Sequence, residues 1–503
     1  MKIFSNLQVQ QLDQITIQKH YNHSWNLMEK AATALLLYLE ENELQNRPTI
    51  TIFCGKGNNG GDGLALARML ISKKYQVNIF LFKTENYSLD NQLNQDLLKQ
   101  SKTTIQTFEL ESILNISKNT IIIDALFGTG LQKALDPKWQ NIFNQIYKSK
   151  PLKIIAIDLP SGLLNGIPMK SEFSCLKADS CISFQFPKLA LLFPDNKIYL
   201  KAFSIVNIDL DNETMQAMTT DTFYIDQNLA ISILQSPDKF SHKGNFGHCL
   251  IIGGHYGSIG APILSANAAL KTGSGLVSIY SPKCANNIIQ TSINEVISIS
   301  DKEEDIISSI TLTKEYNSFA IGMGLGTHPK TAFALKQWLP QATENCIVLD
   351  ADSINILAKD ENPFKNIPKG SILTPHPKEL ERLIGIWEND YEKLEKVKVI
   401  AQTYKIIFII KGAHSTVICP YGNMYFNSTG NWGMATAGSG DVLSGIIASL
   451  IGQGYKPIEA SILGVFLHGL AGDNATKTIH PHSIIASDLI NNISNAYFSL
   501  EKN

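Results

Sequence analysis

Two glycine-rich loops that each carry an aspartate are the residues of this chain best suited to chemistry. The first, Gly55–Gly63 (GKGNNGGDG), directly follows the apolar run TITIFC, and the second, Thr436–Asp441 (TAGSGD), precedes the apolar run VLSGIIASLI. Glycines let a backbone approach a phosphate closely, and a helix that starts there offers free N–H groups. Because the loops differ in design and each lies at a strand–helix junction, they predict two nucleotide sites on one polypeptide.

The first loop combines a dinucleotide fingerprint with side-chain oxygens. Gly55–Gly60 has the Gly-x-Gly-x-x-Gly spacing that places a pyrophosphate against a helix start. Taken alone, this spacing fits a plain tight turn equally well. Asn58, Asn59 and Asp62 add side-chain oxygens that a phosphate loop does not need, and a carboxylate there would repel phosphate. This set of oxygens suits a sugar, an amide or a monovalent cation.

Two further aspartates follow apolar strands of the same half. Asp124 ends the run IIID before the flexible Gly128–Gly130, and Asp158 ends IAID before Pro160–Gly162. An aspartate in this position can simply cap the next turn. Ligands of open parallel sheets bind beyond the carboxyl ends of the strands, however. Three such strand ends with Asn and Asp side chains therefore favour a binding site.

The second loop has the composition of a phosphoryl-transfer site. Backbone N–H groups at a helix start, here those of Gly438, Ser439 and Gly440, can form an anion hole for a phosphate. Asp441 is then placed to take a proton from a hydroxyl that attacks that phosphate. The alternative is an aspartate that only caps the helix. A cap needs no Gly-x-Gly before it, so catalysis is the favoured interpretation.

Two other segments accompany this loop. Lys411–Ser415 (KGAHS) follows the apolar run IIFII, which places it at a strand end near the same rim. His376 stands between Pro375 and Pro377, which stiffen its turn. A histidine fixed in this way is either a ligand or a buried, hydrogen-bonded residue.

These residues must be positioned by two successive α/β domains. Residues 7–42 predict two amphipathic helices. From Pro48 onward, short β-rich runs alternate with helical runs, which predicts parallel strands in a doubly wound sheet. The polar, patternless segment Asn207–Gln227 predicts a domain boundary. The strand–helix alternation resumes at His248 (HCLIIGG).

Composition bounds the class of protein. With 503 residues, 44% hydrophobic and 17% charged, the chain fits a soluble globular protein of two or three domains. A net charge of −2 gives no electrostatic reason to expect nucleic acid or a membrane as a partner. The seven cysteines are scattered, which indicates reduced thiols, and no apolar run reaches the ~20 residues that span a bilayer. We therefore expect a cytoplasmic protein.

The first half, 1–215, resembles NAD(P)H-hydrate epimerases in these motifs and in LMEKAA at Leu27–Ala32. The resemblance implies a potassium ion held by Asn59, Asp124 and Ser161, and it places Asp158 near the reacting ring of the substrate. Physically, Asp158 is a sensible acid–base group for inversion at a carbon that bears a hydroxyl. The resemblance also implies that two loops line the hydrated nucleotide: Asn58, Asn59, Gly60, Gly61 and Asp62, with Gly128, Thr129, Gly130, Leu131, Gln132, Lys133 and Ala134.

The second half, 225–503, is similar to ADP/ATP-dependent NAD(P)H-hydrate dehydratases, which have a ribokinase-like fold. The motifs that carry this similarity are HKGNFG, GGHYGSIGAP, LDADSIN, LTPHPKE, KGAHS and NWGMATAGSGD. It implies that Ala261, Gly326 and His376 lie at the hydrated nicotinamide together with Asp441. The adenine nucleotide would be bound by Lys411, Gly412, Ala413, His414, Ser415 and Gly440.

Together the two halves predict a Rossmann-like domain followed by a ribokinase-like domain in a bifunctional repair enzyme. The first domain would interconvert the epimers of NADH or NADPH hydrate. The second would phosphorylate the hydroxyl of the S form and eliminate phosphate, with Mg²⁺ expected beside ADP or ATP. A homo-oligomer is expected, as is common in both families. The sequence leaves open the choice between ADP and ATP and the preferred coenzyme, although the resemblance favours ADP.

Two other functions are compatible with parts of the sequence. A small-molecule kinase, such as a hydroxymethylpyrimidine kinase with a regulatory nucleotide-binding domain, shares the glycine–aspartate motif but would accumulate a stable phosphorylated product. A non-enzymatic scaffold, as in mRNA-decapping proteins of this fold, tends to lose the acidic residues. Asp62, Asp124 and Asp158 are all present, which disfavours the scaffold.

Overall fold

The computed structural model describes residues 1–342 and 346–501, and the chain divides into two compact units. The N-terminal unit comprises Lys2–Thr220 with Asn389–Tyr391; the C-terminal unit comprises Met1, Asp221–Glu388 and Glu392–Asn503. Residues 343–345 and 502–503 of the predicted second domain lie outside the described residues.

A seven-stranded, fully parallel sheet forms the centre of the N-terminal unit, in the order β3-β2-β1-β4-β5-β6-β7. Its first six strands have the order that defines dinucleotide-binding, doubly wound sheets, so the Rossmann-like prediction is confirmed. The strands are β1 (Ile50–Cys54), β2 (Val77–Phe82), β3 (Ile105–Phe108), β4 (Ile121–Ala125), β5 (Lys153–Ile157), β6 (Ala178–Phe184) and β7 (Leu200–Val206).

Amphipathic helices accompany this sheet. The predicted pair within 7–42 is confirmed, and the first of these helices starts with a capping box between Ser5 and Gln8. The helix that starts in the first glycine loop places Gly60 against Gly55: a Cβ on Gly60 would lie 2.0 Å from the Gly55 carbonyl oxygen. The helices are α1 (Asn6–His20), α2 (Ser24–Asn42), α3 (Asn58–Ser72), α4 (Leu89–Gln100), α5 (Trp139–Lys148) and α6 (Asn212–Ala217).

The C-terminal unit is built on a ten-stranded sheet in the order β11-β10-β9-β12-β13-β14-β15-β16-β17-β8. Strand β16 runs antiparallel to β15 and β17, and the other neighbouring pairs are parallel. The strands are β8 (Thr222–Ile225), β9 (His248–Ile252), β10 (Leu276–Ser281), β11 (Ile297–Ser300), β12 (Ser318–Ile321), β13 (Ile347–Leu349), β14 (Ile372–Leu373), β15 (Ile407–Ile410), β16 (Thr416–Ile418) and β17 (Met424–Asn427).

The second glycine loop leads into a helix in the core of this unit. Val442, Ile446 and Leu450 are fully buried on this helix, at the three- to four-residue spacing of one helix face. The helices are α7 (Gln227–Ile233), α8 (Gly260–Thr272), α9 (Ala285–Ser292), α10 (Pro329–Trp338), α11 (Asp352–Leu357), α12 (Pro377–Ile384), α13 (Asp390–Tyr404), α14 (Ser439–Gly452), α15 (Pro457–Ala475) and α16 (Ala486–Glu501).

The segment 207–227, predicted as a patternless boundary, contains helix α6 and strand β8. Strand β8 pairs in parallel with β17, some 200 residues later in the chain, at the edge of the second sheet. The units divide between Thr220 and Asp221, inside the segment. Strand β8 (TFYI) has only four residues, which is too short for a hydrophobic period to stand out within a polar segment.

Two findings bear on the expectations from composition. Among the described residues, no helix has the length and apolar character needed to cross a membrane. All seven cysteines, which fall in the described part of the chain, are free thiols.

Two candidate active sites

Asp124 and Ser161 lie in direct contact at the carboxyl ends of β4 and β5. The Ser161 backbone N–H donates to Asp124 Oδ2 over 2.8 Å, and its hydroxyl donates to Oδ1 over 2.6 Å. Leu126 N–H also donates to Oδ1, over 3.2 Å. Burial raises the pKa of Asp124 to about 6, although the hydrogen bonds from Ser161 and Leu126 act to lower it. The carboxyl is therefore held rigidly in a largely dry environment.

Asn59 approaches the same turn from the start of α3. A Cβ on Gly128 would lie 3.2 Å from Asn59 Cγ, and the neighbouring Phe127 N–H donates to Ser161 Oγ over 2.9 Å. Among the described residues, the buried Asn59 Nδ2 has no hydrogen-bond partner. The structure thus gathers the predicted potassium ligands around one turn, with an amide whose hydrogen-bonding capacity is unused.

Asp158 follows β5 in a strained conformation. Its φ of 66° is in the left-handed region, which residues other than glycine rarely adopt and which clusters at functional sites. Oδ1 lies 2.5 Å from Lys188 Nζ, and Oδ2 accepts a long hydrogen bond of 3.4 Å from Thr129 N–H. The side chain therefore links the end of β5 to the predicted substrate loop Gly128–Ala134.

Two more carboxyl groups interact with this pair. Burial raises the pKa of Asp13, on α1, to about 7; Lys188 lowers it and Asp158 raises it. Burial, Asp158 and Asp13 together raise the pKa of Asp62 well above its usual value. Two carboxyl groups that bind protons more readily than usual, Asp13 and Asp62, therefore lie near the ion pair of Asp158 with Lys188.

The remaining residues of the predicted epimerase loops differ in exposure. Asn58 is exposed, whereas Gly60 and Gly61 are buried in the first turn of α3. A Cβ on Gly61 would lie 2.5 Å from Met28 Cε, so both glycines could reach a ligand only through the backbone. The turn after β4 is largely accessible, with Gly130, Gln132 and Lys133 exposed and Thr129, Leu131 and Ala134 half-buried.

In the C-terminal unit, Lys411 occupies the centre of a polar network at the ends of β13 and β15. Its Nζ lies 2.7 Å from Asp350 Oδ1 and 3.8 Å from Glu379 Oε2. Ser444 Oγ, on α14, donates to Asp350 Oδ2 over 2.7 Å. Burial acts to lower the pKa of Lys411, but the carboxylates of Asp350 and Glu379 outweigh it and raise that pKa. Lys411 is therefore a firmly charged ammonium.

Asp441 lies in the first turn of α14, beside this network. Burial raises its pKa to about 7; Asp350, Asp352 and Glu379 raise it further, and Lys411 lowers it. A carboxyl with this pKa exchanges protons readily near neutral pH, which is the property of a general base.

The helix start that precedes Asp441 has the geometry of an anion site. Gly438 has a φ of 86°, which favours glycine, and the first N–H groups of a helix have no intrahelical acceptor. A Cβ on Gly440 would lie 3.3 Å from Lys411 Nζ, so the predicted anion hole and the ammonium are adjacent. Ser439 Oγ is 3.3 Å from His468 Nε2, and burial lowers the pKa of this histidine to about 4.

His376 caps helix α12. The ring atom Nδ1 accepts hydrogen bonds from the backbone N–H groups of Lys378 and Glu379. The backbone N–H of His376 donates to Glu379 Oε2 over 2.8 Å. Since Glu379 also faces Lys411, the structure links His376 to the network around Asp441. The sequence left open a ligand or a buried, hydrogen-bonded residue. The side chain is hydrogen-bonded but 45% exposed, so it is not buried, and its role as a ligand stays a prediction.

Ala261 lies against Gly324, two residues before Gly326, in the turn after β12. A Cβ on Gly324 would lie 3.2 Å from Ala261 Cβ, and His255 Nδ1 is 2.8 Å from the Gly324 carbonyl oxygen. Gly326 N–H donates to Asp352 Oδ2 over 2.8 Å. Asp352 thus connects this turn to the electrostatic surroundings of Asp441.

The segment Lys411–Ser415 forms the turn between β15 and β16. Gly412 and Ala413 are exposed, and Ser415 Oγ is 3.2 Å from the Gly412 carbonyl oxygen. His414 Nδ1 is 2.9 Å from the Asn427 carbonyl oxygen, and burial lowers its pKa. This turn presents accessible backbone beside Lys411, as a nucleotide-binding loop requires.

Sequence reasoning missed several residues of both sites. Asp350 and Glu379 lie inside the motifs LDADSIN and LTPHPKE. Asp350 directly follows strand β13, and Glu379 follows the helix cap His376 by three residues, so both positions were usable signals. Lys188 lies in an irregular segment and Asp13 on a polar helix, so neither carried a local signal. Their proximity to Asp158 arises from tertiary folding alone.

The chain has two units, one built on a Rossmann-like sheet and one on a larger, mainly parallel sheet. Each sheet has a cluster of acid–base residues at its strand ends, and these features define a two-domain nucleotide enzyme. The family model described as YjeF-related protein N-terminus matches residues 24–190, and that described as NAD(P)H-hydrate dehydratase matches residues 249–495. The crystal structure of the Bacillus subtilis ADP/ATP-dependent NAD(P)H-hydrate dehydratase, co-crystallised with ATP/Mg²⁺, is 26% identical. The match between the two structures has a TM-score of 0.50 and covers 56% of this chain and 100% of the Bacillus subtilis chain.

Full-length relatives have both halves in the same order. The bifunctional NAD(P)H-hydrate repair enzyme of Moorella thermoacetica is 32% identical over 100% of this chain and 98% of its own length. The enzyme of the same name from Escherichia coli is 30% identical over 88% of this chain and 84% of its own. The chain belongs to the family of bifunctional NAD(P)H-hydrate repair enzymes, which confirms the predicted family and its ribokinase-like second fold.

Proposed function

We propose that this chain repairs hydrated NADH and NADPH by two reactions, epimerisation in the N-terminal unit and nucleotide-dependent dehydration in the C-terminal unit. Membership of the family supports this proposal. One observation carries it: each unit has its own acid–base cluster together with a glycine loop at a helix start. The cluster around Asp158 accompanies the loop at the start of α3, and the cluster around Asp441 accompanies the loop at the start of α14. The functional domains would be 1–215 and 225–503.

In the dehydratase, Asp441 takes the proton from the ring hydroxyl as its oxygen attacks the terminal phosphoryl group of ADP or ATP. The bond between phosphorus and the nucleotide oxygen breaks as the new O–P bond forms. The C–O bond of the ring then breaks, phosphate leaves with its electron pair, and loss of a proton from the neighbouring ring carbon restores the double bond. Hydroxide is a poor leaving group and phosphate a good one, which explains why a kinase-like site performs a dehydration.

The other predicted residues bind the two ligands of this reaction. The amides of Gly438, Ser439 and Gly440, together with Lys411, stabilise charge on the transferring phosphoryl group. Gly412–Ser415 would bind the adenine nucleotide, and Ala261, Gly326 and His376 the hydrated nicotinamide. Carboxylates such as Asp350 and Glu379 would hold magnesium, which would neutralise phosphate charge when it is bound with the nucleotide.

In the epimerase, Asp158 takes the hydroxyl proton as the bond from the hydroxyl-bearing carbon to the ring nitrogen breaks with its electron pair on nitrogen, and returns the proton as the bond re-forms on the opposite face. Asn58–Asp62 and Gly128–Ala134 hold the dinucleotide. Asn59, Asp124 and Ser161 would hold potassium, because they gather oxygen ligands around one turn. The ion would balance the charge of Asp124 and fix the loop after β4. Replacing KCl by choline chloride should then slow epimerisation, with recovery on adding KCl and no such recovery in Asp124→Ala.

The test of the proposed function is an assay on a mixed-epimer NADH hydrate with ADP, ATP or no nucleotide, following the absorbance of reduced nicotinamide. Full recovery of both epimers with one nucleotide, predicted to be ADP, would establish the coupled activities. Recovery of the S fraction alone would remove the epimerase from the proposal. A phosphorylated product that persists, without recovery, would favour the small-molecule kinase instead.

The same assay with NADPH hydrate gives the coenzyme preference. Sedimentation equilibrium of the purified chain tests the predicted homo-oligomer. A mass equal to one chain across micromolar concentrations would contradict that prediction.

A further inference from the structure

Lys188 is a charged residue of the N-terminal site, and the proposed chemistry assigns it no task. Its side chain is only 2% exposed. The ammonium donates to the Phe184 carbonyl oxygen over 2.9 Å and to Ser183 Oγ over 3.1 Å, both at the end of β6. Its Nζ is also 2.5 Å from Asp158 Oδ1. A buried lysine is costly, so its near-complete set of acceptors indicates a built site.

The contact with Lys188 distinguishes the two oxygens of Asp158. Oδ1 faces the ammonium, whereas Oδ2 has only the long contact of 3.4 Å with Thr129 N–H in the substrate loop. The backbone of Asp158 is strained as well, with a φ of 66°. Lys188 thus fixes the direction of the carboxylate and leaves Oδ2 on the side of the loop that would hold the substrate.

The surroundings of Asp158 show why a fixed cation is needed. Asp13 on α1 and Asp62 on α3 both interact with Asp158, and Asp90 on α4 acts on Asp62. Several carboxyl groups therefore lie close enough to repel one another when they are charged. The ammonium of Lys188 offsets the negative charge of one of these carboxylates. Its ion-pair partner is Asp158, so Asp158 is the carboxylate that it stabilises in the charged form.

We propose that Lys188 is a positioning residue of the epimerase, which holds Asp158 with Oδ1 anchored and Oδ2 directed at the reacting carbon of the hydrated ring. This inference rests on the proposed epimerase function. Because Lys188 acts through Asp158 and not through substrate binding, its loss should lower kcat and leave KM nearly unchanged.

The direct experiment replaces Lys188 by methionine in the full-length chain and measures R-to-S conversion of NADPH hydrate by chromatography. Lys188→Met keeps an unbranched side chain, one heavy atom shorter than lysine, and removes the charge. The matched control is Lys201→Met, an exposed lysine of the same unit. We expect kcat of Lys188→Met to fall roughly 10²-fold, in the range of a lost acid–base contribution. KM should stay within about 3-fold of wild type, and Lys201→Met should match wild type.

Folding of the first variant is checked separately. Loss of a partner to a buried carboxylate lowers stability, so Lys188→Met is also examined by near-UV circular dichroism and by binding of NADP⁺.

A second variant, Lys188→Ala, separates positioning from folding. In Lys188→Ala, methylammonium can occupy the space of the missing ammonium and should restore epimerisation in a saturable manner. Tetramethylammonium, which is too large and cannot donate a hydrogen bond, should not. Wild type and Lys201→Ala are titrated in parallel to exclude an effect on the potassium site.

The inference is overturned if Lys188→Met retains wild-type kcat, or if its activity falls only through a higher KM. It is also overturned if Lys188→Ala, folded by circular dichroism, gains nothing from methylammonium. Failure of the proposed function would look different, because wild type and Lys201→Met would then lack epimerase activity as well.

Discussion

In both units a lysine is ion-paired with an aspartate at a strand end, but the two lysines differ in the carboxylate that they contact. In the N-terminal unit, Lys188 lies 2.5 Å from Asp158, the proposed acid–base residue itself. In the C-terminal unit, Lys411 lies 2.7 Å from Asp350, a neighbour of the proposed base Asp441. One base is therefore part of the ion pair, and the other stands beside one.

The difference matches the chemistry proposed for each site. Asp441, buried and close to Asp350, has a pKa of about 7, so it can accept a proton when a hydroxyl attacks phosphate. Lys411, although paired with Asp350, lies beside Gly440 at the start of α14, where its charge could also face a phosphate. In the chemistry proposed for the N-terminal unit no phosphoryl group is transferred, and Lys188 would only orient Asp158. On this proposal, similar residue types would yield a phosphate site in one sheet and a proton-exchange site in the other.

The strongest test of this contrast is Asp441→Asn, which removes the base but keeps the size of the side chain. We expect dehydratase kcat to fall by roughly 10³-fold, within the range of a lost general base, with epimerase activity unchanged. Recovery of NADH from the purified S-hydrate with ADP measures the first, and chromatography of the epimers measures the second. Glu361→Gln, an exposed carboxylate of the same unit, is the control. A dehydratase rate within about 10-fold of wild type would remove Asp441 from the catalytic role.

Lys411→Met sharpens the comparison by removing the cation that lowers the pKa of Asp441. The dehydratase rate should rise with pH through about 7 in wild type, because the base must be ionised. In Lys411→Met this rise should move to higher pH, and the rate should fall roughly 10²-fold with the loss of phosphate stabilisation. The pH profile of kcat from pH 5.5 to 9 checks both effects, with the exposed Lys456→Met as control. An unshifted profile would show that Lys411 does not act on the base.

Gly60→Ala tests the N-terminal loop. The new Cβ would lie 2.0 Å from the Gly55 carbonyl oxygen, which forces the start of α3 to move. We expect the N-terminal unit to lose about 1–3 kcal/mol in the free energy of unfolding, typical of overpacking, with loss of epimerase activity. Gly57→Ala provides a stability control, because a Cβ there meets nothing within 4 Å. Equal unfolding midpoints for the two variants would contradict the close packing of this loop.

Ser444→Ala has the smallest expected effect. It removes a 2.7 Å hydrogen bond to Asp350 Oδ2, which helps to orient the partner of Lys411. A lost hydrogen bond to a charged group corresponds to about 1.5–3 kcal/mol, and indirect action should leave a roughly 3- to 10-fold lower dehydratase rate. Steady-state kinetics with the S-hydrate measures it. Ser444→Thr should retain most activity if the hydroxyl is what matters, and a loss as large as in Asp441→Asn would make Ser444 a direct participant.

The sequence alone could propose Asp158 and Asp441 as bases, but it could not predict all of the lysine contacts around them. Asp158 follows an apolar strand, and Asp441 lies in the first turn of a helix. Both local positions are visible in the sequence. Lys411 was visible as part of a strand-end motif, but its ion pair with Asp350 crosses 61 residues. Lys188 and Asp13 are brought to Asp158 by an irregular segment and by α1, and no periodicity encodes such contacts. Strand β8 was missed for the same reason, because its partner β17 follows much later in the chain.

The most direct test of two separate sites on one chain mixes Asp158→Asn with Asp441→Asn and supplies a mixed-epimer NADH hydrate with ADP. Alone, Asp158→Asn should recover only the S fraction, and Asp441→Asn should recover no NADH. In the mixture, Asp441→Asn supplies epimerase and Asp158→Asn supplies dehydratase, so the account predicts full recovery of both epimers. A mixture that recovers no more than Asp158→Asn alone would contradict the assignment of the two reactions to Asp158 and Asp441.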